Sequence, residues 1–85
     1  MSASKLRKRL RELVKACKDK ACMDCGVQYS CEEMSYDHVR GIKYFNLGGS
    51  LSGRSEDEVR REIAKCEVVC IYCHRKREEE RKRAA

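Results

Sequence analysis

Two short stretches far apart in the chain decide the reading: Cys22-Met23-Asp24-Cys25-Gly26 near its start and Cys70-Ile71-Tyr72-Cys73-His74 near its end. Two Cys-x-x-Cys pairs separated by a domain-sized loop form the pattern of a four-thiolate tetrahedral zinc site. Each pair supplies two thiolates from one tight turn, and one ion shared between the turns cross-links distant parts of the chain. Gly26 suits the first turn, which calls for a residue tolerant of positive φ. Cys22, Cys25, Cys70 and Cys73 are therefore the expected ligands of a structural Zn2+. Two disulfides are the alternative reading of the same residues.

Composition favours zinc. The chain has 85 residues, room for one domain, and seven of its apolar residues are Cys, with one Phe and no Trp. A core that small motivates a metal staple. No stretch approaches the ~20 apolar residues of a membrane span. The start, Met1 to Arg9, lacks the apolar run of a signal peptide. Together with the odd number of cysteines, this points to a reducing, cytoplasmic interior, where disulfides are rare. Charge is uneven: residues 1–20 carry a net +6, residues 21–65 −2 and residues 66–85 +2. Basic ends around a neutral-to-acidic centre suit a polyanion held by its phosphates, although solubilising surface charge gives the same pattern.

The first element is expected to be a helix from Ser4 to Lys18, with Leu6, Leu10, Leu13, Val14 and Cys17 on one stripe that packs on the zinc core. Lys8, Arg9 and Arg11 cover its other face and are candidates for phosphate contact, as are Arg75 and Lys76 beside the second cysteine pair. Residues 27–33 read equally well as a short strand or an irregular loop. From Met34 a strand follows, with Met34, Tyr36 and His38 on one face. Residues 41–54 form a glycine-rich loop anchored by Ile42, Tyr44, Phe45 and Leu47. Ser55 to Glu58 is a capping box opening a helix to about Lys65, with Val59, Ile63 and Cys66 facing inward. Residues 67–70 read as a strand, and a highly charged helix runs from Cys73 toward Arg83.

Asp37, His38 and His74 are the candidates for reactive chemistry. The chain has two histidines, one directly after an Asp and the other directly after an expected zinc ligand. Adjacent strand residues point to opposite faces, so Asp37 and His38 share a site only if the strand bends or ends there. Gly41 makes such a bend plausible.

Three runs of residues carry a resemblance. They are Cys22 to Gly26, Tyr36-Asp37-His38-Val39-x-Gly41-x-Lys43, and Glu62-Ile63-x-Lys65-Cys66-Glu67-Val68-Val69-Cys70-x-x-Cys73-His74-Arg75. In this combination the chain resembles the HNH endonucleases, most closely the small phage and bacterial members braced by a four-cysteine zinc site. The likeness spans Cys22 to Arg77. It implies an α+β fold, a small zinc-stabilised ββα-metal (treble-clef-like) domain over residues 22–77. A basic N-terminal helix (1–21) is added before it and a charged helix end (78–85) after it. It implies His38 as general base, with Asp37 and His74 holding a catalytic divalent metal, Mg2+ or Mn2+. One departure is visible: many members carry an Asn five residues before the third cysteine, where this chain has Lys65. Asn46, the chain's one Asn, is then the candidate to orient His38.

The implied reaction is hydrolysis of nucleic-acid phosphodiester bonds, with DNA the expected substrate, by a monomer or homodimer. Products would carry 5′-phosphate and 3′-hydroxyl ends. A neutral imidazole can deprotonate water near neutral pH, and a metal with open positions can neutralise the charge that builds on phosphate and leaving oxygen. The competing readings are a non-catalytic zinc module that binds nucleic acid, and an adaptor in which both histidines serve the fold.

Overall fold

The apolar stripe of the first segment forms the helix it predicts. The computed structural model describes residues 3–84; residues 1, 2 and 85, the outer ends of the first and last expected segments, lie outside the described residues. Helix α1 (Ala3–Cys17) buries Leu10 and Val14 and packs Leu6 and Leu13 at the edge of the same cluster. Its partners are Leu47 and Leu51 of the glycine-rich loop and Val59 of α2 (Glu56–Ala64), rather than the cysteine cluster on which it was expected to pack. Of the four expected loop anchors, Leu47 is buried and Phe45 is partly buried against this cluster, whereas Ile42 and Tyr44 are exposed. Leu51 is buried in this cluster as well.

The capping box is formed as expected. Ser55 Oγ accepts from the Glu58 backbone N–H at 3.2 Å, and Glu58 Oε1 accepts from the Ser55 N–H at 3.4 Å. Three acids in the first turn of α2 complement the positive end of its dipole. Residues 27–33 form no strand; they run irregularly into a single 3-10 turn at Cys31–Glu33.

The sheet has two antiparallel strands, β1 (Met34–His38) and β2 (Cys66–Cys70), paired from Met34 opposite Cys70 to His38 opposite Cys66. Beyond the pairing, the N–H groups of Val39 and Arg40 both donate to the Lys65 carbonyl, at 2.9 and 3.2 Å. Gly41 then turns the chain at φ +70°, a conformation costly for any residue with a Cβ. Helix α3 (Ile71–Ala84) begins directly after β2, two residues earlier than expected. A second core cluster gathers Cys22, Met34, Val68, Val69 and Cys70, and Tyr36 packs against both clusters.

Period-2 alternation along β1 sorts its side chains. Ser35 and Asp37 meet α3, through His74 and Arg81, while Tyr36 bonds the Val14 carbonyl of α1 and His38 bonds Glu62 of α2. No described helix is long and apolar enough to cross a membrane.

Leu10 is fully buried between α1 and its partners, so Leu10→Ala should leave a cavity and cost about 2–5 kcal/mol. Urea unfolding should show the loss, with Arg11→Ala, on the exposed face, staying within about 0.5 kcal/mol of wild type. Equal behaviour of the two variants would mean that α1 is not part of the cooperative core.

Candidate functional site

The two cysteine pairs meet. The four Sγ atoms of Cys22, Cys25, Cys70 and Cys73 all lie within 4.8 Å of one another, the one such group among the described residues. Cys25 Sγ and Cys70 Sγ are 4.0 Å apart. That is twice a disulfide bond and near the ~3.8 Å edge of a tetrahedron with metal–sulfur bonds of ~2.3 Å. The cluster can hold a structural metal such as zinc.

Local hydrogen bonds build the two turns. The Gly26 N–H donates to the Cys22 carbonyl at 2.9 Å, with Gly26 at φ 76°, and the Met23 N–H donates to Val68 at 3.0 Å, fastening the first turn to β2. In the second turn the Cys73 N–H donates to Cys70 Sγ at 3.4 Å. Burial pushes the Cys22 thiol up, but surrounding N–H donors outweigh it and bring it down to about 6, the bias a metal-binding thiolate needs. Cys17, Cys31 and Cys66 stand outside the cluster. Cys66 Sγ donates to the Glu62 carbonyl at 3.3 Å, and burial with the Glu62 charge pushes its thiol up to about 11.

The structure brings Asp37 and His74 together. Asp37 Oδ1 lies 3.6 Å from His74 Nε2, and the Ser35 hydroxyl bonds His74 Nδ1 at 2.8 Å. Two arginines that the sequence reading did not single out complete the environment of Asp37. Arg81 donates to both of its oxygens, at 2.9 and 2.7 Å, and Arg77 donates to Oδ2 at 2.7 Å. Burial pushes the Asp37 carboxyl up, but these guanidiniums outweigh it and hold it below the usual carboxylate range. Arg77 also binds Asp24 of the first cysteine turn and, at 2.9 Å, Glu67 of β2. One guanidinium thus joins the turn, both strands and α3.

His38 leaves the strand on the other face, where its Nε2 lies 2.8 Å from Glu62 Oε2. Glu62 is only 1% exposed and also accepts from the Tyr44 N–H at 3.1 Å and from Lys65 Nζ at 2.9 Å. The sequence offered Asn46 for contact with His38; Glu62 makes that contact instead. Because β1 ends at His38, the two faces open onto common ground. Asp37, His38 and His74 all line one cleft of about 650 Å³, together with Lys43, Asn46 and Arg81.

The expected phosphate contacts are spread out. Lys8 and Arg11 are exposed on α1, whereas Arg9 is tied to Glu56 of α2 at 3.0 Å. Arg75 is exposed, and Lys76 borders a recess beside Cys25 and Cys73. Successive helical residues are ~100° apart, so the face that carries His74 carries Arg77 and Arg81 rather than Arg75 and Lys76.

Native mass spectrometry should show one tightly held zinc. Cys70→Ser should lose it and unfold the domain, while Cys31→Ser and Cys66→Ser keep it; zinc loss in the latter two would overturn the ligand set. A second expectation concerns acid. Asp24 and Asp37 are both held below their ordinary 3.8. The stability they contribute is present above that value and lost as pH falls through their lower folded values. Arg77→Gln should raise both folded values and flatten the loss of stability as pH falls below their ordinary 3.8; an unchanged slope would show the arginine is not its source. Comparison of the chain with family models, with curated proteins and with solved structures gives no match.

Proposed function

We propose that the protein is a metal-dependent endonuclease of the HNH type, a small ββα-metal (treble-clef-like) domain stapled by zinc, that hydrolyses phosphodiester bonds in DNA. The observation that carries this reading is the shared cleft: Asp37, His38 and His74 line it together although they come from two faces of a strand and a separate helix. The sequence resemblance names the same three residues and supports it independently.

The donor set suits a hard divalent ion. A carboxylate oxygen and an imidazole nitrogen 3.6 Å apart, with Ser35 on the far ring nitrogen, are chemically fit for Mg2+ or Mn2+. Both oxygens of Asp37 are engaged by arginine, so Arg81, whose side chain is 52% exposed, is the group that has to turn away. When bound, the ion supplies charge neutralisation at the scissile phosphate and the leaving oxygen. His38 takes the proton of the attacking water. Lys8, Arg11 and Arg75 offer positive charge to flanking phosphates.

One observation favours a second reading, a zinc-stapled nucleic-acid-binding module without chemistry: the arginine bonds to Asp37 can serve as a purely structural ion-pair network. Plasmid, junction and single-stranded cleavage with Mg2+, Mn2+ or EDTA separates the two. His38→Ala should keep zinc, fold and binding but lose ~10²–10⁴ in rate, with no rescue by metal. Asp37→Ala and His74→Ala should lose affinity for the catalytic ion, and high Mn2+ should recover part of their activity. If all three variants cleave as wild type does, or wild type cleaves nothing with any ion, the endonuclease reading is wrong and the binding module replaces it.

A further inference from the structure

Glu62 is a buried acid in an unusual place. It sits on the inward stripe of α2 with Val59 and Ile63, close to Cys66 at the start of β2, where an apolar side chain would serve the core. A buried carboxylate is destabilising unless fully paired. Glu62 is fully paired: Lys65 Nζ bonds Oε1 at 2.9 Å, and the Tyr44 N–H and His38 Nε2 meet Oε2 at 3.1 and 2.8 Å. Burial pushes its carboxyl up, but these partners outweigh that and hold it below its usual range, so it is ionised at neutral pH.

An ionised carboxylate only accepts hydrogen bonds. The 2.8 Å contact therefore requires a proton on His38 Nε2. In a neutral ring the lone pair must then lie on Nδ1. Among the described residues His38 makes no other side-chain hydrogen bond, so Nδ1 is left for a ligand in the cleft that His38 lines. Lys65 and the Tyr44 N–H would satisfy Glu62 without His38, and the His38 side chain is 16% exposed. The pair is therefore informative about the ring's state, not only about packing.

We infer that Glu62 is the positioning residue of the site, holding His38 with Nε2 protonated so that Nδ1 is the atom that accepts the proton from water. The positioning role deepens the endonuclease reading and rests on it; the assignment of the tautomer does not. Lys65 anchors the carboxylate from its other oxygen and has no contact with the His38 ring among the described interactions.

The test is long-range 1H–15N NMR of the His38 ring in the zinc-loaded full chain, combined with steady-state cleavage. In wild type the neutral form of the ring should be the Nε2–H tautomer alone. Glu62→Gln keeps the side chain's size but offers an amide that can donate as well as accept, so the ring should become a mixture of tautomers. In the same variant kcat should fall on the order of 10²-fold while KM changes little. Lys65→Met, which leaves the Oε2 contact in place, should keep the wild-type tautomer. An Nδ1–H ring in wild type would overturn the inference. So would a tautomer and kcat both unmoved by Glu62→Gln, or a tautomer that follows Lys65→Met instead. A wild type that cleaves nothing but shows the expected tautomers would remove the endonuclease reading and the positioning role with it, leaving the Glu62–His38 pairing established.

Discussion

The five-residue pairing of β1 with β2 is the constraint on which the rest of the molecule depends. Its register sets Met34 opposite Cys70, at the end of the sheet where the second cysteine turn begins, and the first turn is fastened to the same strand through the Met23 N–H and the Val68 carbonyl. The same register sets Asp37 opposite Glu67. Like charges facing each other across a ladder are destabilising. Arg77 converts that repulsion into attraction by bonding both acids from α3, at 2.7 and 2.9 Å. A slip of one residue would carry Asp37 and His38 to each other's faces and break both arrangements at once.

Period-2 alternation makes two chemically different compartments out of neighbouring residues. Asp37 faces a strongly cationic helix, with three guanidinium bonds to its carboxylate. His38 faces a buried anion on α2. A carboxylate held ionised and an imidazole held in one orientation have opposite electrostatic needs, and two adjacent residues could not find both on one face. The end of the strand at His38 lets the two environments border a single cleft without mixing.

Much of the secondary structure was legible in the residues because it is locally encoded. The stripe of Leu6, Leu10, Leu13 and Val14, the Ser55 capping box and the strand into Cys70 each depend on spacing alone. Loop packing was less legible. Ile42, Tyr44, Phe45 and Leu47 are all apolar enough to anchor a loop, and which of them reach the core depends on the path of the backbone between Gly41 and Ser55. Glu62 carried a readable signal, an acid three residues after Val59 and next to Ile63 on an otherwise apolar stripe. Arg77 and Arg81 carried one too, at three and seven residues from His74 on one helical face.

The sequence by itself determined the members of the cysteine cluster, most of the helices and strands, and the identity of Asp37, His38 and His74 as the candidate groups, because spacing and side-chain chemistry are properties of the chain. Tertiary structure alone decided their partners. Glu62 rather than Asn46 meets His38, Arg77 and Arg81 meet Asp37, and α1 packs on the loop and α2 rather than on the cysteines. The physical reason is distance along the chain. The contacts of His38 and Asp37 alone join residues 24 to 44 positions apart, and no local propensity sets which of several equally suitable side chains arrives once strand register and helix rotation have closed the fold.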